Sequence, residues 1–287
     1  MSSVLYDVPG PRARARNRVI AVVAILVVAA ALTFVIMRLA ETGQFTAAKW
    51  QLFTFPLVQQ KIVGAILTTL SAFGLAAVLS LLLGFVLSVG RLSDHAWIRI
   101  PVSLFTELFR AVPVLILMMI MYYGLPPLGI TFVTPFVAVV TGLTLYNGSV
   151  LAEVFRAGVE SLARGQAEAG YAIGLRKSAV MTLILYPQAI RAMMPVIISQ
   201  LVVVLKDTAL GFIVTFQELL YLAKFYGSQV TYGSPIIPST IVFGTIYILL
   251  CLALSGVAKW TEVRLSRSPR APKTTADAPA PVDSGLL

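Results

Sequence analysis

Residues 62–90 read IVGAILTTLSAFGLAAVLSLLLGFVLSVG, without one charged side chain. A helix needs roughly 20 such residues to cross a hydrocarbon layer about 30 Å thick. Five further stretches meet the same requirement, at about 19–39, 101–123, 132–155, 192–216 and 238–258. A membrane β-barrel would instead show short segments of alternating polarity. Runs such as Val19 to Val35 do not alternate. The sequence therefore predicts an all-α polytopic membrane protein with about six transmembrane helices.

Composition agrees. Of 287 residues, 58% are apolar and 12% charged, whereas soluble domains carry about 25% charged residues. Too few polar side chains remain to cover a water-facing surface. A soluble enzyme, an extracellular disulfide scaffold and a disordered regulator are excluded. Cys251 and His95 are the single Cys and His, which rules out an intramolecular disulfide and argues against a metal site. The first stretch has signal-peptide features, with Arg12, Arg14, Arg16 and Arg18 before it and Ala29-Ala30-Ala31 near its end. Its apolar run continues to Met37, so it reads as a retained span.

The net charge of +10 is unevenly placed. With the N-terminus inside, six spans return the C-terminus to the same side. Sixteen Lys and Arg then fall on inner segments and four on outer ones. That bias is the positive-inside signal, so no nucleic-acid partner is needed to explain the charge. Residues 40–61 form an outer connection with Trp50, Phe53 and Phe55 as interfacial anchors. Residues 217–237 read as a second outer loop. The Pro- and Ala-rich tail 266–287 reads as disordered and cytoplasmic.

The inner connection 156–191 differs from a flexible linker. Ala167, Tyr171, Leu175 and Ala179 recur four apart, as do Ala169 and Ile173. A short amphipathic helix is expected, stopped by Gly174. A second helical piece from Leu175 to Tyr186 should end at Pro187. By pattern alone this could also be an interfacial helix lying on lipid.

Glu168-Ala169-Gly170, three residues, Gly174, nine residues, Ile184, one residue and Tyr186-Pro187 resemble the EAA loop of ABC importer permeases. Gly170 stands where that pattern has its third Ala, and Tyr186 where it has Leu. Three other regions resemble the polar-amino-acid branch, whose members carry histidine, glutamate, glutamine or arginine. They are ELFRAVP at 107–113 with YYGLP at 122–126, AEVFRAG at 152–158, and LKDTAL at 205–210. The resemblance covers about 60–260. It implies a type I ABC importer permease fold, with 19–39 as an additional helix behind a cytoplasmic segment 1–18. It also implies a cytoplasmic coupling helix, with ATPase contacts at Gln166, Glu168, Ala169, Gly170, Gly174 and Pro187. The expected partners are ABC ATPase subunits, a second permease subunit (identical or paralogous), an extracytoplasmic substrate-binding protein and membrane lipid. The expected location is the bacterial plasma membrane, with both termini cytoplasmic. Glutamate-type permeases are the nearest resemblance within the branch.

No G-x-x-x-x-G-K-[ST] phosphate loop and no catalytic dyad occurs, so no cofactor is expected in this chain. The resemblance assigns ATP and Mg to partner ATPase subunits. An ion-coupled secondary transporter is the alternative, but it predicts internal repeats. None is evident. Ionisable residues in a bilayer are costly and usually functional. Lys206 and Asp207 read as mid-span, either pairing helices or lining the transport path. Glu107 and Arg110 share a helix face beside a Pro113 kink, as a structural pair or a gate. Asn147 and Ser149 suit a zwitterionic ligand or helix packing. Ser80, Gly84 and Ser88 form a small-residue packing face.

Overall fold

A computed structural model describes residues 10–265, and all regular elements among them are helical. The α-helices are α1 Pro11–Glu41, α2 Ala47–Gln51, α3 Pro56–Arg91, α4 Ala96–Ala111, α5 Val114–Met119, α6 Pro135–Glu160, α7 Arg164–Ala172, α8 Lys177–Ala179, α9 Tyr186–Asp207, α10 Leu219–Gly227 and α11 Ile236–Leu265. Wide π-type turns follow α5 and join α8 to α9, and a 3-10 segment, Thr208–Val214, extends α9. Five segments are long and apolar enough to cross a bilayer: α1, α3, α6, Lys177–Val214 and Ile236–Thr261. The expected tail 266–287 and the first nine residues lie outside the described residues.

The centre is the crossing of α3 and α6. A Cβ on Gly84 would lie 2.8 Å from Leu151 Cβ and 3.0 Å from the Gly148 carbonyl oxygen. A Cβ on Gly148 would lie 2.8 Å from Leu83 Cδ2. Without an apolar driving force between helices in lipid, such close approach supplies the attraction. Ser80 and Ser88 flank the contact and are fully buried. Ser88 bonds the Tyr186 hydroxyl at 3.0 Å, so the small-residue face of α3 holds α9 as well as α6.

The third expected span departs from a straight helix. Chain 101–123 is broken at Val112–Pro113, and α4 meets the following segment, Val114–Gly124, at 97°. Proline removes a backbone donor and drives the preceding residue out of the helical region. Val112 is extended, at φ −85° and ψ 126°. Trp97, Ile100, Leu104 and Leu108 form an exposed apolar stripe along α4, while Thr106 is buried on the other side. That division is the pattern of a helix lying in a membrane interface.

Two other expectations change. Pro187 does not end a helix: it occupies the first turn of α9, immediately after the π-type turn Val180–Leu185. First-turn prolines lose no intrahelical bond, and the wide turn re-registers the backbone before it. The expected loop 217–237 contains α10, whose Leu219 and Tyr226 are buried with Phe243 of α11. By contrast, α1 buries none of its residues. Its connection touches the bundle where Gln44 Nε2 donates to the Ser234 carbonyl at 3.5 Å and Gln44 Oε1 accepts the Ile237 amide at 3.4 Å.

Candidate coupling loop and transport pathway

The nine residues of α7 would be marginal alone. Their C-terminus is fixed by a Schellman arrangement. Gly174 is left-handed at φ +81°, the Leu175 amide donates to the Gly170 carbonyl at 3.1 Å, and the Gly174 amide donates to Tyr171 at 2.9 Å. These bonds satisfy carbonyls that a helix end otherwise leaves unpaired. Gly174 thus has the C-cap role expected from sequence. A Cβ there would meet nothing within 4 Å, so its constraint within this chain is backbone conformation rather than crowding.

Gly170 is crowded. A Cβ would lie 2.9 Å from both Val180 Cγ2 and Ile184 Cδ1. Ala167 packs against the same buried cluster, which includes Val180. Tyr171, expected on this inward face, is 47% exposed, and Ile173 is 77% exposed. The helix therefore turns Glu168, Ala169, Tyr171, Ala172 and Ile173 outward. Gln166 accepts from Gln188 Nε2 at 3.3 Å, linking α7 to α9, while Pro187 is exposed. Lys177 Nζ donates to the Leu92 carbonyl at 2.8 Å and also pairs with Asp94. The Lys177 ammonium holds the Asp94 carboxyl below the usual carboxylate range. The loop is thus a mounted platform, joined to α9 through the π-type turn and to the α3–α4 connection through Lys177.

Beside it, two sequence motifs meet. Arg91, at the C-terminus of α3, contacts Glu107 Oε1 at 3.1 Å and Glu153 Oε2 at 3.2 Å. Arg110 reaches Glu107 at 3.4 Å, and Arg156 pairs with Glu153 and Glu160. Because the chain breaks at Pro113, Glu107 and Arg110 belong to this network at the bundle's end and not to the interior of a straight span. Arg91 was not singled out from sequence, although a basic residue closing a long apolar helix is a favourable dipole position.

The remaining candidates are not gathered in one cavity. Asn147 is fully buried, donates to the Leu143 carbonyl at 3.0 Å and accepts from Gln200 Nε2 at 2.7 Å. Ser149 is fully buried and its hydroxyl has no hydrogen-bond partner among the described residues. Lys206 is exposed and lines a cleft of about 450 Å3 with Ala209, Tyr247 and Cys251. Asp207 is half-buried at the end of α9.

Sequence reasoning missed Glu218. It is fully buried and caps α10, accepting the Leu220 and Tyr221 amides and the Tyr247 hydroxyl, each at 2.7 Å. An acidic residue immediately before Leu219-Leu220 is a recognisable capping signal.

Residues 80–267 match the family described as binding-protein-dependent transport system inner membrane component. The chain belongs to this family. The matched region of this transport-system component includes the whole α6–α9 assembly. It is 36% identical over 86% of its length to the glutamate transport system permease protein GluD of Corynebacterium glutamicum, covering 91% of that protein. It is 30% identical over 69% of its length to the probable glutamine ABC transporter permease protein GlnP of Bacillus subtilis, covering 90% of that protein. A crystal structure of an amino acid ABC transporter with histidines aligns at TM-score 0.65 and 26% identity, over 72% of this chain and 94% of the other. The likeness extends to an inward-facing MetNI methionine ABC transporter at TM-score 0.63 and 16% identity, where it concerns the fold.

Proposed function

We propose that this chain is the membrane-spanning permease subunit of an ABC importer for a polar amino acid, of glutamate type. Family membership and the likeness to GluD, a glutamate permease, and GlnP, a probable glutamine permease, support the substrate class. The carrying observation for coupling is α7. It is short, rigidly capped and presents Glu168 and Ala169 outward while its Gly170 face is anchored to the π-type turn before α9. Such a knob fits a cleft on an ATPase subunit. Movement of the knob reaches α9 through the π-type turn, because Gly170 lies against Val180 and Ile184 of that turn.

In this reading, ATP and Mg belong to two ATPase subunits, and a second permease subunit completes the pathway. An extracytoplasmic binding protein delivers the amino acid. The charge bias supports an orientation with both termini and the 156–191 loop on the cytoplasmic side of a bacterial plasma membrane. Copurification should recover an ATPase, and cells should accumulate labelled glutamate. Glu168→Lys should uncouple ATP hydrolysis from uptake while the subunit still reaches the membrane. Recovery without an ATPase, together with unchanged uptake by the Glu168→Lys variant, would refute the coupling assignment.

For the pathway we assign Lys206 and Asp207 as the principal charges, with Asn147 and Ser149 as polar candidates at a separate buried position and Glu107 and Arg110 as secondary candidates. Lys206→Met or Asp207→Asn is expected to reduce transport at least about tenfold, the effect of losing ~1.4 kcal/mol of stabilisation. Uptake paired with copurification checks this. Normal uptake in an assembled complex argues against the assignment.

A further inference from the structure

We propose that a second cleft, between α3, the beginning of α6 and segment 215–217, is a vestibule that receives the side-chain carboxylate of an acidic amino acid through Lys61. The proposal rests on the amino-acid permease reading and its orientation, which place this cleft on the outer half. Its volume is about 440 Å3, within the ~300–1,000 Å3 usual for small-molecule sites. Lys61, Gly64 and Thr68 line it from one face of α3, with Thr134, Phe216 and Gln217 opposite.

Charge selects the ligand. Lys61 is the one ionisable side chain among the lining residues, and it forms no ion pair among the described residues. The nearby acid in sequence, Glu218, is fully buried and engaged by two amides and the Tyr247 hydroxyl. An anion entering the cleft therefore meets an ammonium without an intramolecular competitor. Thr134 accepts the Val137 amide at 3.3 Å and retains its own hydroxyl proton for donation. Gln217 adds an amide with both donor and acceptor atoms.

The wall is held in place. Thr215 is left-handed at φ 60°, and its hydroxyl contacts the Tyr122 hydroxyl at 3.2 Å. Phe216 is buried against Phe136, with ring centres 6.0 Å apart. Gln217 is consequently turned outward between buried Phe216 and Glu218. Gly64 supplies the space: a Cβ there would meet nothing within 4 Å. No contact within the chain requires glycine at this helical position, where it has a lower helix propensity than alanine. A side chain added at Gly64 would start in open space at the cleft wall.

The test uses the intact transporter in cells whose own copy of this subunit is replaced by variants. Labelled glutamate and glutamine are the probes, since they differ in side-chain charge at nearly equal size. Lys61→Met should raise the KM for glutamate at least tenfold relative to that for glutamine, and Lys61→Arg should restore much of the difference. Gly64→Leu should block both substrates while copurification with partner subunits stays normal. An unchanged KM ratio in Lys61→Met, or normal uptake by Gly64→Leu, would overturn the vestibule. Loss of assembly in Gly64→Leu would also overturn it, identifying the cleft as a subunit interface. Wild-type uptake of glutamine alone would overturn acidic recognition. Wild-type uptake of no amino acid would overturn the permease substrate reading itself.

Discussion

A methyl group at Gly84 would press on Leu151 Cβ and on the backbone of Gly148 and Ala152. Backbone cannot rotate aside, so Gly84→Ala should destabilise the bundle by about 1–3 kcal/mol, the usual cost of overpacking. Gly244→Ala is the matched control, because its Cβ would meet nothing within 4 Å. A lower unfolding midpoint for Gly84→Ala alone is the expected result; equal midpoints would contradict it. Gly174 tests a different property. An L-residue there pays about 1–2 kcal/mol for left-handed backbone, although space is open. Gly174→Ala should therefore accelerate hydrogen exchange at the Leu175 amide, which bonds to Gly170, with little change elsewhere. Unchanged exchange at that amide would count against the cap. Sequence spacing located both glycines, but could not tell crowding from backbone geometry. That distinction depends on which atoms come near the absent Cβ.

Hydropathy identifies the apolar stretch 101–123 but cannot distinguish one straight span from two segments at 97°, because both bury similar side chains. Pro113 marks the break; the ion pairs at the bundle's end explain where α4 goes. Arg91 joins α4, through Glu107, to α6, through Glu153. The Arg91 side chain is only 11% exposed, but Glu107 is 57% exposed, and Glu153 retains Arg156 when Arg91 is removed. Arg91→Met should thus loosen α4 locally more than it lowers global stability. Thr106→Cys, in a Cys251→Ala background, places a thiol reporter where the native side chain is fully buried. Faster labelling is expected after Arg91→Met, and an equally protected thiol would refute the clasp role. Short α10 escaped the reading of 217–237 because nine residues are too few to span a bilayer. Glu218 escaped with it, since burial of a carboxylate arises from the distant partner Tyr247 on α11.

For the molecule as a whole, the number of apolar helices was readable because the bilayer imposes a length on each span. The separation of Asn147 from Lys206 was not, since it depends on how helices rotate about their axes. The proposed orientation places Ser161 inside. A Ser161→Cys variant in the Cys251→Ala background should resist an impermeant thiol reagent in intact cells and react after permeabilisation; labelling in intact cells would reverse the topology. The unburied α1 acquires a role during biogenesis in this orientation. With that topology Arg12 to Arg18 would hold its leading end inside, and the helix would carry residues 42–55 across the bilayer. The beginning of α3 is thereby delivered to the outer surface without exporting the N-terminus. A helix that contributes almost nothing to the packed body can in this way determine the parity with which that body is threaded into the membrane.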